Sequence, residues 1–239
     1  MKTDVLAIGA HPDDIELIIG GTISKLTLRG KNVVIADLTR GEMGTRGTPD
    51  IRREEARKAA EILGVRERIN LDLGDGKLSD VFEYRIRIIE LIRKFRPVLV
   101  FTHHWHDLHP DHTATAEIVK SSMYTCGMVN FPAKGEPYRP HEFAFFMGHL
   151  PFEPSFIVDI SETFDKKMQA IKCYESQLYN PSIAGFQTNI SQPDFLVYIE
   201  ARARYYGSLI QKAYGEPFEV IRALPMDDPV DHYREFGKI

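Results

Sequence analysis

The chain has 239 residues, 43% of them hydrophobic and 27% charged, with a formal net charge of -4. That length suits one large domain and that composition a globular fold. The charge excludes the basic footprint of a nucleic-acid or anionic-membrane binder, and no apolar run nears the roughly 20 residues of a membrane span.

Asp4 to Ile8 reads as a buried strand, entered at once without an apolar leader. A helix follows from about Asp14 to Leu28, closed by Gly30, and Val33 to Ala36 is a second buried strand. A Gly-rich loop, Arg40 to Gly47, precedes Thr48-Pro49-Asp50, which has the order of a helix start: hydroxyl cap, proline, acid. That helix stops at Gly64, Ile69 to Leu71 is a short strand, and Val81 to Phe95 has helical periodicity ended by Pro97. Val98 to Phe101 is the fourth strand, followed by a His-rich loop and a helix from about His112 to Tyr124. The glycines and prolines of 128–140 predict a loop, then strands at Phe143–Met147 and Phe156–Asp159. Ser161 is expected to cap a helix running to about Gln177, 180–193 to be a loop, and Asp194 to start a long helix through Tyr206. Cys126 and Cys173 fall in helix-like segments and form no spaced framework, so a reduced, cytoplasmic protein is expected.

Strands alternating with helices imply βαβ crossovers and an α/β fold: a Rossmann-like, doubly wound, mainly parallel sheet. Residues 1–125 are its core, and 126–239 a C-terminal α+β extension within one domain. With strand order 3-2-1-4-5 the first and fourth strands are neighbours, and ligands bind beyond their carboxyl ends. Two strings lie there: Ala10-His11-Pro12-Asp13-Asp14 and His109-Pro110-Asp111-His112. Five of the nine histidines, at 103, 104, 106, 109 and 112, fall in the second loop.

A catalytic zinc site commonly has three protein ligands and one open position. His11 and Asp14 can supply two, and any of the five clustered histidines the third. Asp13 can serve as general base, a second histidine as acid or electrophile, and Asp111 as the carboxylate that orients an imidazole. Alone, Asp13 or Asp14 would read as a helix cap and His11 as a loop histidine. Their joint position at the two strand ends weighs against that, whereas His141, His149 and His232 keep the plain reading. A dinucleotide fold would show Gly-x-Gly-x-x-Gly in the first turn, and two carboxylates stand there instead. Gly20-Gly21 lies inside the first helix and reads as a close packing contact.

These motifs resemble the PIG-L (LmbE-like) family of N-acetylglucosaminyl deacetylases. The likeness extends through Gly20-Gly21-Thr22, Leu38 to Gly44 with Gly47-Thr48, and Tyr174-Glu175-Ser176-Gln177. It is strongest to the bacterial deacetylases of bacillithiol biosynthesis, which act on N-acetylglucosaminyl malate. The resemblance implies His11, Asp14 and His112 as zinc ligands, Asp13 as base and His109 as the protonated group at the oxyanion or leaving amine. Asp111 would tune a neighbouring histidine. Arg52 and Arg139 resemble substrate-facing arginines, and Glu42, with Arg40 and Arg46, would read sugar hydroxyls or an anionic aglycone. His103, His104 and His106 are thereby left away from the metal. Ferrous iron is the alternative metal, and a homo-oligomer, up to a hexamer, the implied assembly. A chitooligosaccharide is an alternative substrate. A non-haem ferrous oxygenase uses the same donor set, but it and a non-catalytic sugar-binding module leave Asp13 without a task.

Overall fold

The computed structural model describes residues 3–182 and 185–236. Its elements in chain order are β1 (Val5–Gly9), α1 (Asp14–Leu28), β2 (Val33–Asp37), α2 (Pro49–Leu63), β3 (Glu67–Asn70), α3 (Phe82–Phe95) and β4 (Leu99–His103). Then follow α4 (Pro110–Thr125), β5 (Glu142–Phe146), β6 (Phe156–Asp159), α5 (Phe164–Lys172), α6 (Phe195–Leu209), β7 (Gly215–Glu219) and α7 (Pro229–Phe236). They form one seven-stranded sheet in the order β3-β2-β1-β4-β5-β7-β6. The first five strands are parallel, as expected for a doubly wound fold, and β7 runs antiparallel between β5 and β6. β5 lies beyond residue 125, so the parallel sheet is continuous across that position.

The central strands read as unbroken apolar runs because both faces of the sheet are covered. On β1, Val5 and Ala7 point into the core shared with α1, α2 and α5, while Leu6 and Ile8 point into the core under α3 and α4. Full burial of each such Val, Leu or Ile contributes about 1.5–3 kcal/mol. The start of α2 is as expected: the Thr48 side chain accepts the Ile51 N–H at 3.3 Å, and Gly64 ends the helix with φ 71°. α1 passes close to the turn before α5, where a Cβ on Gly21 would lie 2.7 Å from Ile160 Cδ1. Glu216 of β7 accepts the Gly21 and Thr22 N–H groups at 3.0 and 2.7 Å and pairs with buried Lys167 at 2.6 Å.

Three expectations shift. Ser161 does not cap α5: its hydroxyl bonds Asp159, and the helix starts at Phe164 and ends at Lys172. β3 covers 67–70 rather than 69–71. β7 and α7 have no counterpart in the sequence pattern. β7 contains Pro217, which ordinarily marks an edge strand. It is tolerated because β5 pairs only with Phe218 and Glu219, leaving Pro217 without a partner on that side.

Candidate metal centre and active site

The loops after β1 and β4 meet, as strand order requires. The residue preceding α1 is Asp13, whose φ of 116° is strained for any residue but glycine. Neither acid works as a helix cap. Asp13 makes no cap bond, and Asp14 turns back to accept the His11 N–H at 2.7 Å. From α2, buried Arg52 donates to Asp13 Oδ2 at 2.9 Å and to the Pro12 carbonyl. At the other loop His109 caps α4, its Nδ1 accepting the Asp111 N–H at 3.2 Å, so the remaining proton is assigned to Nε2.

Asp14 spans the two strings. Its Oδ2 is 3.5 Å from His11 Nδ1 and its Oδ1 is 3.2 Å from His112 Nε2. Donor atoms of His11, His109 and His112 lie within 4.8 Å of one another, and so do those of Asp14, His103 and His112. His103 packs beside the centre. It is fully buried, and its Nε2 accepts the Ala10 N–H at 3.1 Å while facing Asp14 Oδ2 at 3.0 Å. Imidazole nitrogens and carboxylate oxygens without thiolate suit zinc or ferrous iron. His104 and His106 do stand away: His104 pairs with Glu219 at 3.0 Å and accepts the His106 N–H.

A ring of acids holds the histidines. Asp75 Oδ1 and Asp111 Oδ2 lie 3.0 and 3.4 Å from His11 Nε2, and Asp107 Oδ1 lies 3.2 Å from His112 Nδ1. Asp111 therefore contacts His11. Burial disfavours charge here, but Asp111, Asp14 and Asp75 outweigh it and hold His11 well above the usual imidazole range. Burial is likewise outweighed at His112, which Asp14 and Asp107 bring up to about 9. Burial pushes the Asp13 carboxyl up to about 7 against the pull of Arg52, with Asp14 adding to the rise. Burial would raise Asp75 too, but His11 and the Met43 N–H take it down to about 2. Burial, with His112 and His11 nearby, holds His109 below the ordinary value.

The site opens into a cavity of about 750 Å³ bounded by Met43, Thr45, Leu108, Gln177, Phe195 and Tyr198. Phe195 and Tyr198 thus face it from α6. The expected substrate-side residues behave otherwise. Arg52 lines the cavity but is engaged by Asp13. Glu42 accepts the Arg40 and Asp75 N–H groups and braces the loop. Arg139 is exposed, donates to the Tyr124 carbonyl, and is absent from the cavity wall. His149, read as ordinary, lines the cavity and bonds Asp107 at 2.7 Å. The side chain of His232 lies outside the described residues. Asp75 and Asp107 were missed. The signal for Asp75 was an acid between two glycines just past a strand, and for Asp107 an acid inside the His-rich loop.

An α/β sheet with His and Asp side chains converging beyond β1 and β4 defines a class of candidate metal-dependent hydrolases. The family model PIG-L, GlcNAc-PI de-N-acetylase, matches residues 6–123. The diacetylchitobiose deacetylase of Thermococcus kodakarensis is 33% identical over 227 residues, covering 89% of this chain and 80% of the relative. The "Probable N-acetyl-alpha-D-glucosaminyl L-malate deacetylase 2" of Bacillus cereus is 31% identical over 192 residues, covering 74% and 84%. The crystal structure of a conserved protein of Thermus thermophilus superposes with a TM-score of 0.87 at 36% identity, covering 95% of this chain and 98% of that one. The chain belongs to the PIG-L family and is an enzyme that hydrolyses N-acetyl amide bonds.

Proposed function

We propose that the protein is a zinc-dependent N-deacetylase of an N-acetylglucosamine derivative, with His11, Asp14 and His112 as the metal ligands. The observation that carries this is the Asp14 carboxylate, spanning His11 and His112 beside an acid, Asp13, that is not a helix cap. When bound, the metal lowers the pKa of a coordinated water to about 7 and polarises the acetamide carbonyl. Asp13 takes the proton of the attacking water, and Arg52 fixes its orientation through Oδ2. His109 donates a hydrogen bond from Nε2 to the oxyanion of the tetrahedral intermediate, and the proton that Asp13 took from the water passes to the departing amine. Asp111 keeps His11 in its ligating orientation. The products are acetate and a free 2-amino sugar.

For the aglycone, the anionic malate glycoside is favoured over neutral diacetylchitobiose. Support comes from Arg202 on the cavity wall. It donates to the Gly148 and Leu17 carbonyls at 3.0 and 3.1 Å and has no carboxylate partner among the described residues. The test is amine release from both substrates, with bound metal measured in parallel. Asp13→Asn should keep the metal and lose at least about a hundredfold in turnover, whereas His112→Ala should lose the metal. Near wild-type turnover in Asp13→Asn would refute the base assignment, and faster release from diacetylchitobiose would refute the malate reading. Self-association is supported by the exposed Leu224, Met226 and Val230, and light scattering checks it.

A further inference from the structure

Asp75 lies in the turn after β3, between Gly74 with φ 97° and Gly76 with φ 70°, a backbone that side chains rarely adopt. Its two oxygens have separate tasks. Oδ1 is 3.0 Å from His11 Nε2, and Oδ2 accepts the Met43 N–H at 2.8 Å. Its own N–H goes to Glu42 Oε1 at 2.9 Å. One buried carboxylate therefore touches the imidazole beside Asp14 and is bonded both ways to the Gly-rich loop, whose Met43, Gly44 and Thr45 line the cavity. We propose that Asp75 is a positioning residue that couples the seating of loop 40–47 to the seating of His11. The inference rests on the metal centre proposed above.

The coupling follows from donors and acceptors. With the His11 Nε2 proton given to Asp75 and Asp111, Nδ1 keeps its lone pair and faces Asp14. A carboxylate accepts at both oxygens, so it can serve His11 and Met43 together. A carboxamide has one acceptor and one donor and can serve only one of them. Whatever seats the loop thereby seats His11, and linkage makes the effect reciprocal: a sugar in the cavity and a metal on His11 strengthen each other.

The experiment measures the zinc affinity of the apoprotein by competition with a chromophoric chelator, with and without glucosamine as the sugar probe. Wild type should bind zinc at least threefold tighter with glucosamine present. Asp75→Asn should bind zinc 10- to 100-fold more weakly, with the glucosamine effect reduced to within twofold. Glu42→Gln, which leaves the His11 contact intact and guards against a folding defect in the first variant, should keep zinc affinity within about threefold yet shrink the glucosamine effect. Wild-type zinc affinity in Asp75→Asn, or a glucosamine effect equal in all three proteins, overturns the proposal. A wild type that binds no zinc overturns it together with the metal centre. No arm measures turnover, so failure of the deacetylase reading leaves every one of these outcomes in force.

Discussion

The backbone at Asp13 sits at φ 116° while its side chain is clamped by Arg52 at 2.9 Å. The clamp also reaches the Pro12 and Gly41 carbonyls, so one planar guanidinium ties the first turn, the Gly-rich loop and α2 together. Lysine offers a point charge without that fork. Arg52→Lys should lower kcat by about 10- to 100-fold with little change in KM and full metal content, because what is lost, on the mechanism proposed above, is the orientation of the proton acceptor. Steady-state kinetics with metal analysis checks this, and an unchanged kcat would show that Arg52 is dispensable to Asp13. Legibility at this scale followed clustering. His11, Asp13, Asp14, His109, Asp111 and His112 announce themselves as two strings at strand ends. Asp75 and His149 stand outside both strings, on loops whose paths no local pattern encodes, and Asp107 lies inside the His-rich loop but outside its motif.

Among the elements, α1 and β7 depend on each other. Glu216 takes two N–H groups from the middle of α1 and neutralises Lys167, whose ammonium also donates to the Ile18 carbonyl at 2.8 Å. Removing one partner of such a pair strands the other charge in the core. Glu216→Ala should cost about 3–5 kcal/mol, and Gly21→Ala, which drives a methyl into Ile160, about 1–3 kcal/mol. Urea denaturation measures both, and losses below about 0.5 kcal/mol would contradict the packing described. The central parallel strands were legible because burial on both faces writes them as continuous apolar runs, whereas β3, Glu-Arg-Ile-Asn at the sheet edge, carries no such run. β7, Gly-Glu-Pro-Phe-Glu, was not, since its stability comes from β6 and from α1 rather than from its own composition.

For the molecule as a whole, pH acts at the alkaline end through buried groups outside the metal centre. Burial pushes the Cys126 thiol up to about 11 from an ordinary value of 9.0, and burial holds the Tyr174 hydroxyl well above its usual range. Both folded values exceed the unfolded ones, so the folded state keeps protons that the unfolded state gives up. For Cys126 the contribution is complete below pH 9.0 and is lost as pH rises through about 11. The urea midpoint should therefore fall across that window, and less steeply in Cys126→Ala. A flat wild-type midpoint there would contradict the burial of these groups.

The strand order has a kinetic side. β1 pairs with β4 in the register Val5 to Leu99, far apart along the chain, and the two strings of the centre follow these two strands, on loops and helix starts beyond their carboxyl ends. Local helices can form before that long-range closure, but the donor atoms cannot converge until it is complete. During refolding, uptake of the zinc proposed for this centre should lag the recovery of helical circular dichroism and coincide with the slowest conformational phase. The ion is then a reporter of finished topology rather than a nucleus for it, in contrast to small domains that stay unfolded without their metal.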